Sequence, residues 1–449
     1  MSAGERSPEN NRSGLVRELG LADGVSLVVG SIIGSGIFLV PQAVAQQLSS
    51  FSAVLLVWVA GGALTLFGAL SLAELGAAYP RAGGLYVYLS HAYGRPAGFL
   101  YGWGLLAMIH SGSIATLAVA FGLYLGRLLP LGAEGEKAAG LAAVLLLTGV
   151  NCFGLRAGKR VQNFFTAAKL GGLGLMTAVL LWRGRPVELF SERFWPAEGA
   201  RWEWLPFGVA LVGVLWAYEG WHVVSFTAGE VREPARNLPR SLLYGALIIA
   251  GIYLLANAAY YSVLSGAEVA GSETVAASAT TRAAGPAAGG LISLLILVSI
   301  FGAMNGMVLS GPRVYYAMAR DGLFFSALGR LHPRWHAPVT ALAVQGVWAA
   351  ALAMVGTFRE LFTYVVFTAW IFYGATVAGV IVLRRREPAV ERPFRVPGYP
   401  WVSLLFTLAA LGLTVSTMVA APGNALRGIG LILLGVPLYW LFRRRERRT

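Results

Sequence analysis

The stretch "GSIIGSGIF" (residues 30–38) interrupts an otherwise apolar run that extends from Leu21 to Val44. A glycine inside a helix costs about 1 kcal/mol relative to alanine, and a backbone in lipid depends on helical hydrogen bonds. Gly30, Gly34 and Gly36 therefore predict a break in a membrane helix. The backbone groups that the break exposes need other partners.

The composition indicates an integral membrane protein. Of 449 residues, 57% are hydrophobic and only 12% are charged, against about 25% charged in soluble domains. A membrane-spanning helix needs about 20 apolar residues, and we identify twelve such segments, all predicted to be helical. They lie at 22–47, 53–78, 95–126, 138–155, 162–182, 204–228, 239–264, 287–318, 337–356, 360–383, 399–421 and 424–442.

The charged and reactive residues limit orientation and function class. Most of the 35 basic residues lie in the tails and even-numbered turns, which predicts a multi-pass protein of the plasma (inner) membrane with both termini in the cytoplasm. We attribute the net charge of +14 to topology and contact with anionic membrane lipid, and expect no nucleic-acid partner. Cys152 is the single cysteine, and no metal-binding or catalytic motif is evident. We expect no cofactor, no metal and no enzymatic activity.

A second interruption, "LWAYEGWH" (residues 215–222), places Glu219 and Gly220 in the middle of the sixth segment. Two broken segments five apart are typical of transporters built from inverted repeats of five helices. We therefore predict repeats at 21–183 and 204–386, joined by an outer loop at 184–203. A cytoplasmic tail (1–20) precedes them, and helices eleven and twelve with a basic tail (387–449) follow.

Broken helices offer complementary charges to a free amino acid. One new end exposes N–H groups with partial positive charge, and the other exposes carbonyls with partial negative charge. The N–H groups near Ser35 to Ile37 suit a carboxylate. The carbonyls expected to bind the ammonium are those of Ile32, Ile33, Trp216 and Ala217.

A helix-packing interface is the alternative interpretation of these glycines. Gly30 and Gly34 are four residues apart, as in small-xxx-small packing, but Gly36 does not fit that face. We favour the binding site and assign Gly34 and Gly36 to the turn that binds the carboxylate.

Five motifs carry a resemblance to a known family. They are "GSIIGSGIF" (30–38), "AELGAAYPRAGGLYVYLSHAYG" (73–94), "VQNFFTAAKL" (161–170), "WAYEGW" (216–221) and "RVYYAMARDG" (313–322). With these motifs in this order, the chain resembles members of the amino acid, polyamine and organocation superfamily, and within it the bacterial form of the L-type amino acid transporter branch. The resemblance implies the leucine-transporter fold, alternating access and sodium-independent transport, commonly by exchange.

The resemblance also implies residue roles. Ser35 and Gly36 would bind the substrate carboxylate, and carbonyls of Ile32, Trp216 and Glu219 would bind the ammonium. Trp216 would be the aromatic gate. Further candidates, for the pocket wall and for gating, are Ile109, Ser113, Asn305 and Trp221.

Lys169 matches the family lysine whose ammonium occupies the position of a sodium ion in sodium-coupled relatives. A lysine at mid-membrane costs about 2.5–3.5 kcal/mol on insertion scales, so it needs oxygen partners. We expect these to be the backbone near Gly30 and the hydroxyl of Ser310. In the alternative interpretation, Lys169 extends to the cytoplasmic edge of the membrane.

Two residues depart from the family pattern. Glu219 stands where several members have an uncharged residue, and His222 stands where many have asparagine. Glu219 could select cationic amino acids, accept a proton, or pair with His222. We favour exchange of small to medium neutral amino acids over proton-coupled or cationic transport, and over a sensor that does not transport.

Animal members are disulfide-bonded to a heavy chain through a cysteine in an outer loop. The corresponding loop here, 127–137, contains no cysteine. We therefore expect no disulfide-linked heavy chain.

Overall fold

The computed structural model describes residues 14–185, 194–195, 204–420 and 422–446, and the regular elements of this part are helices. They are α1 (Leu21–Ile32), α2 (Gly36–Ala45), α3 (Phe51–Ala78), α4 (Leu85–Tyr93), α5 (Arg95–Leu128), α6 (Gly132–Cys152), α7 (Leu155–Arg183), α8 (Trp204–Ala217), α9 (Pro234–Val263), α10 (Gly266–Gly271), α11 (Val275–Ala284), α12 (Pro286–Ser310), α13 (Pro312–Arg320), α14 (Val339–Val355), α15 (Phe358–Arg386), α16 (Trp401–Ala420), α17 (Pro422–Leu433) and α18 (Gly435–Glu446). Helix α5 contains a π-helical stretch, Leu105–Ile109, and 3-10 helices lie at Val223–Glu230 and Ser326–Gly329.

The predicted fold class, an all-helical membrane protein, is confirmed. In the described chain, eight helical stretches are long and apolar enough to cross a membrane, or nine if α1 and α2 form one bent span. The shorter α8 and α14 are also apolar. The count of twelve crossings and the repeat boundaries stay predictions. Much of the tail at 1–20 and of the loop at 184–203 lies outside the described residues, as do 447–449.

Both predicted helix breaks are present. Helices α1 and α2 meet at an angle of 44° across residues 33–35. Helix α8 ends at Ala217, and a turn over 218–222 leads into the 3-10 helix Val223–Glu230. Each interruption falls within an apolar segment, so it exposes backbone groups among buried side chains.

Two glycines bring the breaks into contact. A Cβ atom on Gly36 would lie 2.7 Å from the Cα of Ala217, so the start of α2 can touch the end of α8 only without a side chain. Gly220 has a φ of +109°, a conformation that favours glycine. Its Cβ position would lie 3.0 Å from the carbonyl group of Ser31. Each break therefore rests on the backbone of the other.

Residues 266–285, between α9 and α12, form the short helices α10 and α11. Ser265 caps α10 by accepting a hydrogen bond from the N–H of Glu268, whose carboxylate also pairs with Arg282. Gln46, just after α2, donates to the carbonyl of Ala270 at 3.0 Å. These helices therefore lie over the end of the first broken segment.

A strap from the amino-terminal segment lies against the second break. The N–H groups of Glu18 and Leu19 donate to the carbonyl of Glu230, each at 2.9 Å. The Glu230 carboxylate accepts two hydrogen bonds from Arg313, at 2.7 and 3.1 Å, and both side chains are 2% exposed. Because removing one partner of such a buried pair costs about 3–5 kcal/mol, this contact fixes the 3-10 helix against α13.

Candidate functional site

A small cavity with a volume of about 30 Å³, measured as the space open to the centre of a water molecule, lies between the two helix breaks. One water needs about 10–15 Å³ on this measure, so the cavity has room for about two or three waters. The predicted residues that line it are Ile32, Gly34, Ser35, Gly36, Ser113, Trp216, Ala217 and Glu219. Ser31, Leu117, Ala303 and Met307 complete the lining.

The start of α2 presents free backbone donors near this cavity. The N–H groups of Phe38 and Leu39 donate to the carbonyl of Ser35, at 3.1 and 3.2 Å. The preceding N–H groups, from Ser35 to Ile37, donate to no backbone carbonyl of the described chain. Such a helix start carries partial positive charge and binds anions, and a carboxylate fits it.

The carbonyls at the breaks are divided between the protein and the cavity. The carbonyl of Trp216 accepts a hydrogen bond from the N–H of Glu219 at 2.9 Å. The carbonyl of Ile32 accepts from Gly34 at 2.8 Å, with the hydroxyl of Tyr253 at 3.3 Å. The Tyr253 hydroxyl has one hydrogen and lies nearer the Ala217 carbonyl, at 2.9 Å, so the second lone pair of the Ile32 carbonyl stays open to an ammonium group.

Two carbonyls predicted to bind the ammonium have protein partners instead. The carbonyl of Ile33 accepts from Lys169 at 2.6 Å, and that of Ala217 accepts from the hydroxyl of Tyr253 at 2.9 Å. Ile33 therefore serves the lysine rather than the cavity, because the break turns its carbonyl toward α7. Ala217 lines the cavity without offering it this lone pair.

Lys169 is fully buried on α7. Its ammonium donates to the carbonyls of Gly30 at 2.8 Å, Ile33 at 2.6 Å and Ser299 at 2.9 Å. Three donors matched to three oxygens account for a charge at this depth, and the contact with Gly30 is as predicted. The lysine joins the end of α1 to α12, and it does not extend to the membrane edge.

The structure corrects two expectations about α12. The hydroxyl of Ser310 donates to the carbonyl of Gly306 at 2.8 Å, one turn back on its own helix. The oxygen that Lys169 meets on α12 is instead the backbone carbonyl of Ser299. Asn305 does not line the cavity, because its amide bonds with Asn151 and Gln162, both at 2.9 Å. These polar side chains join α6, α7 and α12.

On α5 the π-helical stretch ends one turn before Ser113. The hydroxyl of Ser113 donates to the carbonyl of Ile109 at 2.7 Å, so Ser113 lines the cavity with its donor already used. The side chain of Ile109 is buried and does not line the cavity. A π-helical turn frees carbonyls and is frequent at functional sites.

Glu219 borders the cavity and holds two partners beside it. Its carboxylate accepts a hydrogen bond from the hydroxyl of Tyr373, and Nδ1 of His222 lies 3.7 Å away. Trp221, assigned to gating, packs instead against Tyr373 and Phe406, with ring centres 5.7 and 5.8 Å away. The turn therefore presents Glu219 to the cavity and Trp221 to the core.

Sequence reasoning missed Tyr253 on α9. Its hydroxyl lies within 3.3 Å of the carbonyls of both Ile32 and Ala217 and so joins the two breaks. A polar hydroxyl inside an apolar segment was the available signal. Ser31, Leu117, Ala303 and Met307 were also missed, because apolar and small residues on neighbouring helices give no signal that they share a cavity.

Two observations bear on resident ions and on Cys152. Within the described ranges, no three histidine, cysteine, aspartate or glutamate side chains are placed to hold a metal ion. Cys152 is a free thiol at the end of α6. The site is built from backbone groups, hydroxyls, Glu219 and Lys169.

Comparison with known proteins agrees with this geometry. The amino acid permease family model matches residues 19–442. The serine/threonine exchanger SteT of Bacillus subtilis is 34% identical over 97% of this chain and 98% of its own length. The human b(0,+)-type amino acid transporter 1 is 34% identical, over 97% of this chain and 90% of its own length.

A third similar protein is the human large neutral amino acids transporter small subunit 2. It is 33% identical over 97% of this chain and 83% of its own length. These relatives are transporters rather than enzymes. This chain belongs to the amino acid permease family, within the amino acid, polyamine and organocation superfamily that its motifs resemble.

Proposed function

We propose that this chain exchanges small to medium neutral amino acids across the plasma membrane by alternating access and without sodium. The observation that carries the proposal is the pair of broken helices facing one cavity. The free N–H groups from Ser35 to Ile37 suit a carboxylate, and the carbonyls of Ile32 and Trp216 suit an ammonium. An α-amino acid presents both groups on one carbon.

The size of the cavity favours small side chains. Its room of about 30 Å³ and its boundaries at Leu117, Ala303 and Met307 leave little space beyond the amino acid backbone. One relative is named as a serine/threonine exchanger and another as a large neutral amino acid transporter. Both names refer to amino acids with uncharged side chains.

Lys169 supports transport without sodium. Its ammonium is a fixed cation among three carbonyl oxygens, of the kind that coordinate a metal ion. A tethered cation needs no ion from solution to neutralise the carbonyl dipoles. We propose that Lys169 moves between partners as α1 opens, and that this contact couples the closed site to the transport cycle.

Glu219 favours a second candidate, transport of cationic amino acids or coupling to protons. Glu219 lines the cavity, but the hydroxyl of Tyr373 donates to its carboxylate and His222 lies 3.7 Å from that carboxylate. A carboxylate that already has a hydrogen-bond donor attracts a cationic side chain less strongly than a free one. Neutral substrates are therefore the first choice.

The topology remains part of the proposal. We propose that the repeats at 21–183 and 204–386 open alternately, and that both termini lie in the cytoplasm. The loop at 127–137 contains no cysteine, so we propose that the chain works without a disulfide-linked heavy chain. We propose that membrane lipid surrounds the chain.

The test is uptake into liposomes that contain the purified chain. Labelled alanine, leucine and arginine are offered with and without unlabelled alanine inside, in sodium or choline buffer, at two pH values. We expect alanine uptake that depends on internal amino acid and is equal in both buffers. Uptake of none of the three would contradict transport. Uptake driven only by a proton gradient, or a preference for arginine, would replace the proposal with the second candidate.

A further inference from the structure

Ser31 is a buried polar residue that the proposed function does not use. It lies in the last turn of α1, next to Ile32, and is 3% exposed. It lines the cavity, and its hydroxyl has no hydrogen-bond partner among the described residues. Since a buried hydroxyl without a partner costs about 1–3 kcal/mol, this arrangement indicates a partner that the protein does not supply.

Three hydroxyls on α5 and α12 are satisfied within their own helices. Helical serine and threonine side chains commonly donate to a carbonyl one turn back. Ser113 does so to Ile109 at 2.7 Å, Thr116 to Gly112 at 2.8 Å and Ser310 to Gly306 at 2.8 Å. Ser31 makes no such bond, although it lies in a regular helix.

Two glycines lie against Ser31. A Cβ atom on Gly306 of α12 would overlap the Ser31 hydroxyl, so the hydroxyl occupies the space that this glycine leaves. Gly220, in the second break, lies against the carbonyl group of Ser31. Ser31 is thus enclosed by α12 and the second break, at the wall of the cavity.

We propose that the hydroxyl of Ser31 hydrogen-bonds the side-chain hydroxyl of a small amino acid. It thereby sets a preference for serine-like substrates over apolar substrates of the same size. The inference rests on the proposed function and names the substrate class of that site. Sites that hydrogen-bond a substrate hydroxyl reject an analogue without it, because their own buried group is then left unpaired.

The test compares L-serine with L-2-aminobutyrate, in which a methyl group replaces the hydroxyl. Both are offered to liposomes loaded with alanine, and kcat/KM is measured for each. One hydrogen bond contributes about 1 kcal/mol, so we expect a serine preference of about five- to tenfold in the parent chain. Ser31→Ala should reduce this ratio to about one. The ratio is formed within each variant, so a general loss of activity cancels.

Ser241 offers a matched control. Its hydroxyl is also buried and without a partner, and it also occupies the space left by a glycine, Gly24. It lies on α9 and does not line the cavity. Ser241→Ala should therefore keep both the serine preference and the alanine exchange rate of the parent.

Three outcomes would overturn the inference. They are a parent ratio near one, an unchanged ratio in Ser31→Ala, or an equal loss in Ser241→Ala. If Ser31→Ala does not insert, Ser31→Gly removes the same hydroxyl and the parent ratio still decides. A parent that takes up alanine without discriminating serine contradicts only this inference, whereas a parent that takes up no amino acid contradicts the proposed function.

Discussion

Replacing Lys169 with methionine tests the contact between α1, α7 and α12. Methionine keeps an unbranched side chain of similar length but removes three donors, at 2.6–2.9 Å from their carbonyl acceptors. Each buried carbonyl that loses its donor costs about 1–3 kcal/mol. Removing a charge from mid-membrane returns about 2.5–3.5 kcal/mol.

The balance is a loss of about 3 kcal/mol, which is about 150-fold in an equilibrium constant. The loss destabilises the closed arrangement, in which α1 contacts α7. When α1 moves away from α7, water can hydrogen-bond to the carbonyls of Gly30 and Ile33. We therefore expect amide hydrogen exchange in 21–32 to accelerate by about two orders of magnitude. Alanine exchange should slow by more than tenfold, with a smaller change in alanine affinity.

Lys159→Met is the control on the same helix. The Lys159 ammonium pairs with Asp23 at 3.0 Å near the start of α7, and both side chains are partly exposed. Pairs of this kind are worth about 0–1 kcal/mol, so amide exchange in 21–32 should rise less than tenfold. If Lys169→Met transports at the parental rate with unchanged amide exchange, the ammonium does not hold the site closed.

Three further substitutions test the contacts around the breaks. Gly36→Ala places a Cβ atom 2.7 Å from the backbone of α8, so alanine affinity should fall about five- to 150-fold, as overpacking costs about 1–3 kcal/mol. Gly174→Ala, where nothing lies within 4 Å, should bind as the parent does, and equal affinities in both variants would refute the close approach. Tyr253→Phe removes the hydroxyl shared by both breaks and should weaken alanine binding about five- to thirtyfold, for a loss of about 1–2 kcal/mol; unchanged binding would exclude that bridge. Arg313→Met leaves Glu230 buried without a partner and should lower the free energy of unfolding by about 3–5 kcal/mol, most of it recovered when Glu230→Leu is added. Thermal unfolding of both variants measures this, and a single variant as stable as the parent would contradict the role of the pair.

The sequence was sufficient to predict both breaks, because glycines inside an apolar segment leave a local signal. Gly36 and Gly220 are required by close backbone approach and by a positive φ, and both consequences can be anticipated from residue type. The binding roles of Ser35 and Gly36 stay predictions, although both line the cavity. Lys169 was predictable as a buried cation with oxygen partners.

Partners on other helices were less predictable. Ser299 and Ser310 lie three turns apart on nearly one face of the same helix, so depth along the helix decides that Lys169 meets the carbonyl of Ser299 rather than the hydroxyl of Ser310. Asn305 has the polarity expected of a pocket wall, yet it faces Asn151. Tyr253 meets the breaks from a helix more than 200 residues from α1 in the chain, as its hydrogen bond to Ile32 shows. Such contacts depend on helix rotation and depth, which periodicity alone does not specify.

The central claim is that the two helix breaks together bind the charged ends of an α-amino acid. Competition against labelled L-alanine by unlabelled L-alanine, L-alaninamide and propionate tests it most directly, because the last two each lack one charged group. Hydrogen bonds to charged groups are worth about 1.5–3 kcal/mol each. The account predicts that L-alaninamide and propionate each compete at least tenfold more weakly than L-alanine. Competition by either analogue at the concentration effective for L-alanine would contradict the account.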